Sequence, residues 1–85
     1  SNNSWGGPEE SQLLLEAILR ARDRNHLFVT AAGNGGVDSI GDDNDQVPDF
    51  PGNFRLVANN VVNVAATNSR DELAGFSNYG LTTVD

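Results

Sequence analysis

The chain has 85 residues, twelve of them acidic and five basic, for a formal net charge of −7 at neutral pH. It contains no cysteine, which excludes a disulfide or a thiolate metal site, and its only basic residues are arginines with no basic cluster, which argues against nucleic acid as a partner. No run of about 18 apolar residues occurs, so no membrane-spanning helix is expected. The opening Ser1-Asn2-Asn3-Ser4 carries no basic region followed by an apolar stretch, so no export leader is visible in it.

In chain order, Asn2 to Trp5 read as the tail of a strand, broken by Gly6-Gly7-Pro8. A helix is predicted from about Glu9 to Asn25. Leu13, Leu14, Ala17, Ile18 and Ala21 form its apolar stripe at a spacing near 3.6. Glu9 and Glu10 in the first turn and Arg20, Arg22 and Arg24 in the last turns complement the helix dipole, and Glu16 with Arg20 forms an i,i+4 pair. Asn25 is the expected stop.

Leu27 to Ala32 is a nearly continuous apolar run, read as a strand buried on both faces. Strand, helix and strand together have the size of a right-handed parallel crossover. Gly33 to Gly52 shows no periodicity and reads as a long loop carrying Asp38, Asp42, Asp43, Asp45 and Asp49. Val61 to Ala66 is the third strand, Asn68 to Glu72 a polar turn, Leu73 to Tyr79 a stretch holding Phe76 and a second Asn-bearing turn at Ser77-Asn78-Tyr79-Gly80, and Thr82 to Asp85 the start of another strand. The fold class expected is α/β: a fragment of a doubly wound, mostly parallel sheet with flanking helices. Both ends break off inside regular structure, so residues 1–85 are expected to be part of a larger domain.

The second strand ends in Ala31-Ala32-Gly33-Asn34, which brings one amide side chain to a carboxyl strand end among small groups. Open parallel sheets bind ligands at such places. A neutral donor held there can stabilise negative charge that appears only in a transition state. Asn34-Gly35 is also a common turn pair, since Asn tolerates the left-handed region. The glycines of Gly33-Asn34-Gly35-Gly36 are no dinucleotide fingerprint, because no helix pattern follows them.

Four segments in order carry a resemblance to a known family: Asn3-Ser4-Trp5-Gly6-Gly7, Phe28 to Asn34, Val62 to Thr67, and Leu73-Ala74-Gly75-Phe76-Ser77-Asn78-Tyr79-Gly80. Together they resemble the subtilisin-like serine proteases over essentially the whole chain. The resemblance implies peptide-bond hydrolysis by an Asp-His-Ser triad through an acyl-enzyme. It places residues 1–85 between the triad His and the triad Ser, so that the chain holds none of the three and is inactive by itself. It implies that Asn34 is the oxyanion donor, that Ser4, Trp5 and Gly6 run alongside an extended peptide, and that Ala31, Ala32 and Gly33 wall the primary specificity pocket. Gly6 then suits close backbone approach. His26 is read as a helix-end residue rather than the catalytic base.

The expected partners are a peptide or protein substrate and the rest of the catalytic domain. No cofactor is required for the chemistry. Structural calcium is kept open, either on the acidic loop or near Phe50 to Phe54 and Asp85, where the family binds it weakly. Thr82 and Thr83 stand where an acidic ligand is expected, which counts against that site. The compartment is open, with an extracytoplasmic location the family default. Two other readings remain: a non-catalytic relative that binds extended peptides, and an unrelated α/β ligand-binding domain complete as it stands.

Overall fold

The computed structural model describes all 85 residues. Three short strands form one parallel sheet in the order β1-β2-β3: β1 (Asn2–Asn3), β2 (Phe28–Ala31) and β3 (Val61–Val64). Asn2 pairs with Val29, and Phe28 to Ala31 pair with Val61 to Val64 in register. A helix, α1 (Gln12–Arg22), connects β1 to β2, the crossover expected from the sequence. The strands are shorter than the apolar runs that announced them. Burial along β2 and β3 also alternates: Phe28, Thr30, Val61 and Asn63 are buried, Val29 and Val62 half-buried and Val64 exposed.

The helix begins later than its acidic residues suggest. Ser11 takes the extended conformation of an N-cap, and its hydroxyl accepts from the Leu14 backbone N–H at 3.2 Å. Glu9 and Glu10 therefore lie before the first turn and do not face the dipole inside it. The stripe is also rotated. Ile18 is buried with Leu14, Leu15 and Leu19 packed around it, whereas Leu13 is 79 % exposed and Ala17 is exposed. Three consecutive leucines fit the helical period in more than one phase, and only packing chooses between them. The Glu16–Arg20 pair does not form; Arg22 lies instead 3.6 Å from Asp23. Asn25 adopts a left-handed φ of 56°, as a terminating residue should.

A 3-10 helix at Gly52–Leu56 carries Phe54 into the core. Five residues give no periodicity to detect, so this element is absent from the sequence reading. The core consists of Ile18, Phe28, Phe54, Ala58 and Val61, with Phe50 tilted against Phe54 at a ring separation of 4.9 Å. Asn60 ties the helix to this layer by donating from Nδ2 to the Ile18 carbonyl at 3.0 Å and the His26 carbonyl at 3.1 Å.

Leu73 to Tyr79 forms no continuous element, and Thr82 to Asp85, expected to begin a strand, does not. The first contributes single bridges, Leu73 to Thr67 and Tyr79 to Asp43, and the second is turn and coil. The Asn68–Glu72 turn does form: Asn68 Oδ1 accepts from the Arg70 N–H at 2.8 Å and the Glu72 N–H at 3.1 Å.

Candidate functional site

Beyond the carboxyl end of β2 the chain opens into a cleft of about 510 Å³. Ser4, Trp5, Gly6 and Gly7 line one side, Ala31, Gly33 and Asn34 another, and Asp42, Asp49 and Asn78 close it from the long loop and the C-terminal part. Of the residues singled out in the sequence, Ser4, Trp5, Gly6, Ala31, Gly33 and Asn34 share this one cleft. Ala32 does not line it: the strand alternation turns Ala32 inward, where it is 1 % exposed. Trp5 is half-exposed at the rim, and Asn34 is exposed.

Gly6 has a reason to be glycine that the sequence did not disclose. Gly7 pairs with Phe50 through reciprocal backbone bonds of 2.9 and 2.7 Å. A Cβ at Gly6 would then lie 2.8 Å from Asp49 Oδ2 and 3.0 Å from the Phe50 carbonyl. The absent side chain makes room for the protein's own loop. Gly33 is constrained twice. Its φ of +110° disfavours a side chain, and a Cβ there would lie 2.6 Å from Asn78 Nδ2 and 2.9 Å from Asp49 Oδ2.

The backbone around Asn34 is held by buried asparagines. Asn78 Oδ1 accepts from the Gly35 N–H at 2.7 Å and the Asp42 N–H at 3.0 Å, and the Asn78 backbone N–H donates to the Gly33 carbonyl at 2.9 Å. Asn78 Nδ2 donates to Asn44 Oδ1 at 3.0 Å, and Asn44 Nδ2 donates to the Ala32 carbonyl at 2.7 Å. Asn53 in turn donates to the Asn44 carbonyl at 2.8 Å. The residues on both sides of Asn34 are thus fixed while its own carboxamide stays free at the cleft surface. None of Asn44, Asn53 and Asn78 was singled out as a site residue. Asn78 lay inside one of the family-like segments, the only signal that could have found it.

The acidic loop does not gather its carboxylates. Asp45 accepts from the backbone N–H groups of Leu81, Thr82 and Thr83 and from the hydroxyls of Thr82 at 3.0 Å and Thr83 at 2.7 Å. These donors, the Thr83 hydroxyl foremost, hold its carboxyl below the usual aspartate range. Asp85 is paired with Arg55 at 2.6 Å and also accepts from the Asn63 N–H at 2.9 Å, and the arginine bond foremost keeps its carboxyl low. Arg55 donates further to the Thr82 carbonyl at 3.0 Å. Oxygens that could serve a cation near Asp85 are therefore engaged by a guanidinium, and no three metal-ligating side chains converge anywhere in the chain. These residues do not fit a calcium ion, on the acidic loop or beside Asp85.

Asp49 differs from its neighbours. Its carboxylate, half-buried in the cleft, takes no hydrogen bond and no ion pair, and burial foremost, with the Asp42 charge second, pushes its carboxyl up.

All 85 residues match the model of the subtilase family of peptidases. The chain belongs to the subtilase family. It is 33 % identical over 79 residues to the minor extracellular protease Epr of Bacillus subtilis (strain 168), covering 93 % of the chain and 10 % of that protein. Against subtilisin BL of Lederbergia lenta it is 34 % identical over 80 residues, covering 94 % of the chain and 25 % of the relative. Its fold superposes on the crystal structure of the psychrophilic subtilisin-like protease Apa1 from the Antarctic psychrotroph Pseudoalteromonas sp. AS-11. That match has a TM-score of 0.71 and 26 % identity, over 94 % of this chain and 16 % of that one. The chain thus spans a quarter or less of the length of these subtilases. Subtilases need no cofactor for catalysis.

Proposed function

We propose that this chain is the segment of a subtilisin-like serine endopeptidase lying between the triad His and the triad Ser, and that it supplies the oxyanion donor and part of the substrate cleft. On this reading the triad residues come from elsewhere in the polypeptide, and the 85 residues alone do not cleave peptides. The observation that carries it is the shared cleft. The Asn34 amide stands free at its surface, on a rigidly held backbone, in the same groove as Ser4, Trp5 and Gly6.

An extended peptide lies along Ser4 to Gly6 and pairs with their main chain. Its scissile carbonyl lies toward Asn34. When the nucleophile attacks, negative charge develops on that oxygen, and the Asn34 amide donates to it. A donor already in place costs no reorganisation at that moment, so it acts on the transition state more than on bound substrate. The names of relatives such as the minor extracellular protease support an extracytoplasmic location for the parent protein. Structural calcium forms no part of the proposal.

The test is Asn34→Leu in the full-length protein. Turnover should fall by about 10²–10³-fold with little change in KM, a magnitude carried over from a subtilisin rather than calculated for this cleft. Unchanged turnover removes the oxyanion role. A full-length protein that binds extended peptides but cuts none is a non-catalytic relative.

A further inference from the structure

The carboxylate of Asp49 has no task within the chain. Its backbone closes the start of the 3-10 helix: the Asp49 carbonyl accepts from the Asn53 N–H at 2.8 Å, and the Asp49 N–H donates to Asn53 Oδ1 at 3.2 Å. The Asp49 side chain takes no part in this cap. It stands instead between two glycines on opposite walls of the cleft, close enough to Gly6 and Gly33 that a Cβ on either would come within 2.9 Å of Oδ2. No arginine lines the cleft, and the other charged group there is a second carboxylate, Asp42. The chain's ion pairs, Arg22 with Asp23 and Arg55 with Asp85, are made by other residues.

A half-buried carboxylate facing a like charge is costly to keep ionised, and an opposite charge brought to it removes that cost. We propose that Asp49 is a specificity-determining residue that selects substrates with a cationic side chain, arginine or lysine, entering the cleft that Asp49 lines. This rests on the peptide-cleft reading above. The cleft of about 510 Å³ that Asp49 lines leaves room for a long unbranched side chain to reach its carboxylate, and a guanidinium can meet both oxygens at once. An apolar side chain in the same place leaves the carboxylate desolvated and unpaired. A glutamate adds a third negative charge.

The experiment compares peptide p-nitroanilides that differ only in the residue before the scissile bond, with the full-length protein and its Asp49→Asn variant. Arginine and lysine substrates should exceed phenylalanine and leucine ones in kcat/KM by at least about tenfold. Asp49→Asn should collapse that ratio by about 10–100-fold. The arginine-to-phenylalanine ratio should fall in the wild type, but stay flat in the variant, as the pH drops through the Asp49 titration. Benzamidine binding by calorimetry, strong in the wild type and lost in Asp49→Asn, reads the same carboxylate without catalysis. Equal ratios in the two proteins, or benzamidine binding that ignores the substitution, overturn the proposal. Benzamidine binding lost in the variant by a protein that cuts no peptide supports it and defeats the proteolytic reading instead. The variant should melt no lower than the wild type at neutral pH, since the amide carries no buried charge; a lower melting temperature makes Asp49 a structural partner and sinks the assignment.

Discussion

At the residue scale, the cleft depends on buried amides that hold the backbone around Asn34. Asn78 binds the backbone on both sides of Asn34 and is itself 5 % exposed, so its polar atoms have no water to fall back on. Gly33 is the tightest point of that arrangement, because a methyl group would meet Asn78 Nδ2 in a backbone conformation that already excludes one. Gly33→Ala is expected to push Asn78 off the Gly35 N–H and move Asn34. In the full-length protein kcat should fall at least about tenfold, a displacement of about 1 Å in catalytic geometry sufficing for more, while Asn34→Leu introduced into that background should cost less than it does alone. Steady-state kinetics of the two single variants and the double variant check this, and fully additive losses would place the two residues in separate roles. The place of Asn34 just beyond a carboxyl strand end was legible in the sequence because Ala-Ala-Gly-Asn is contiguous. The asparagines that hold it were not, because Asn44 and Asn78 look like ordinary loop residues until the fold brings them together.

At the scale of elements, the alternation of strand, helix and strand was readable from apolar runs and helical spacing, and the parallel sheet agrees with it. The errors lie in boundaries and phase. Glu9 and Glu10 suggested an early helix start, but the serine hydroxyl at position 11 satisfies a backbone N–H that acids further upstream cannot reach. Ser11→Ala should therefore cost about 1 kcal/mol of stability. Denaturant midpoints of the full-length protein measure it, and Ser11→Asp should restore most of the loss. The 3-10 helix was invisible for a different reason. Its five residues owe their conformation to Phe54 entering the core and to Asn53 bonding back to Asp49.

At the scale of the whole molecule, carboxylates pull stability in opposite directions with pH. Asp45 gathers the turn at residues 81–83 onto the long loop, and Asp85 joins Arg55 on the 3-10 helix to β3 through Asn63. Both carboxyls titrate lower in the folded protein than in the unfolded chain. Their contribution is therefore complete above the ordinary aspartate value and is lost as the pH falls through their depressed values. Asp49 titrates higher when folded, so its ionisation opposes folding at neutral pH and that cost disappears on acidification. Asp45→Asn is expected to lower the melting temperature at pH 7 and to bring the wild-type and variant curves together as the pH falls below the ordinary aspartate value and through the depressed one. Thermal melts across that range provide the check, and a gap that persists at acid pH would show that Asp45 acts without its charge.

Membership of the subtilase family, the strand-helix-strand order and the cluster of small residues before Asn34 were written in short contiguous stretches, where neighbouring residues suffice to set conformation. The tertiary structure alone decided which leucines of α1 face inward, that Ala32 turns away from the cleft, that Arg55 pairs with Asp85, and that Asp49 stands unpaired between Gly6 and Gly33. These depend on groups far apart in the chain, such as the bond between Gly35 and Asn78 across 43 positions. A local pattern carries no record of such a partner. Burial and charge acquire their energetic meaning only once the folded chain has set the distances between them.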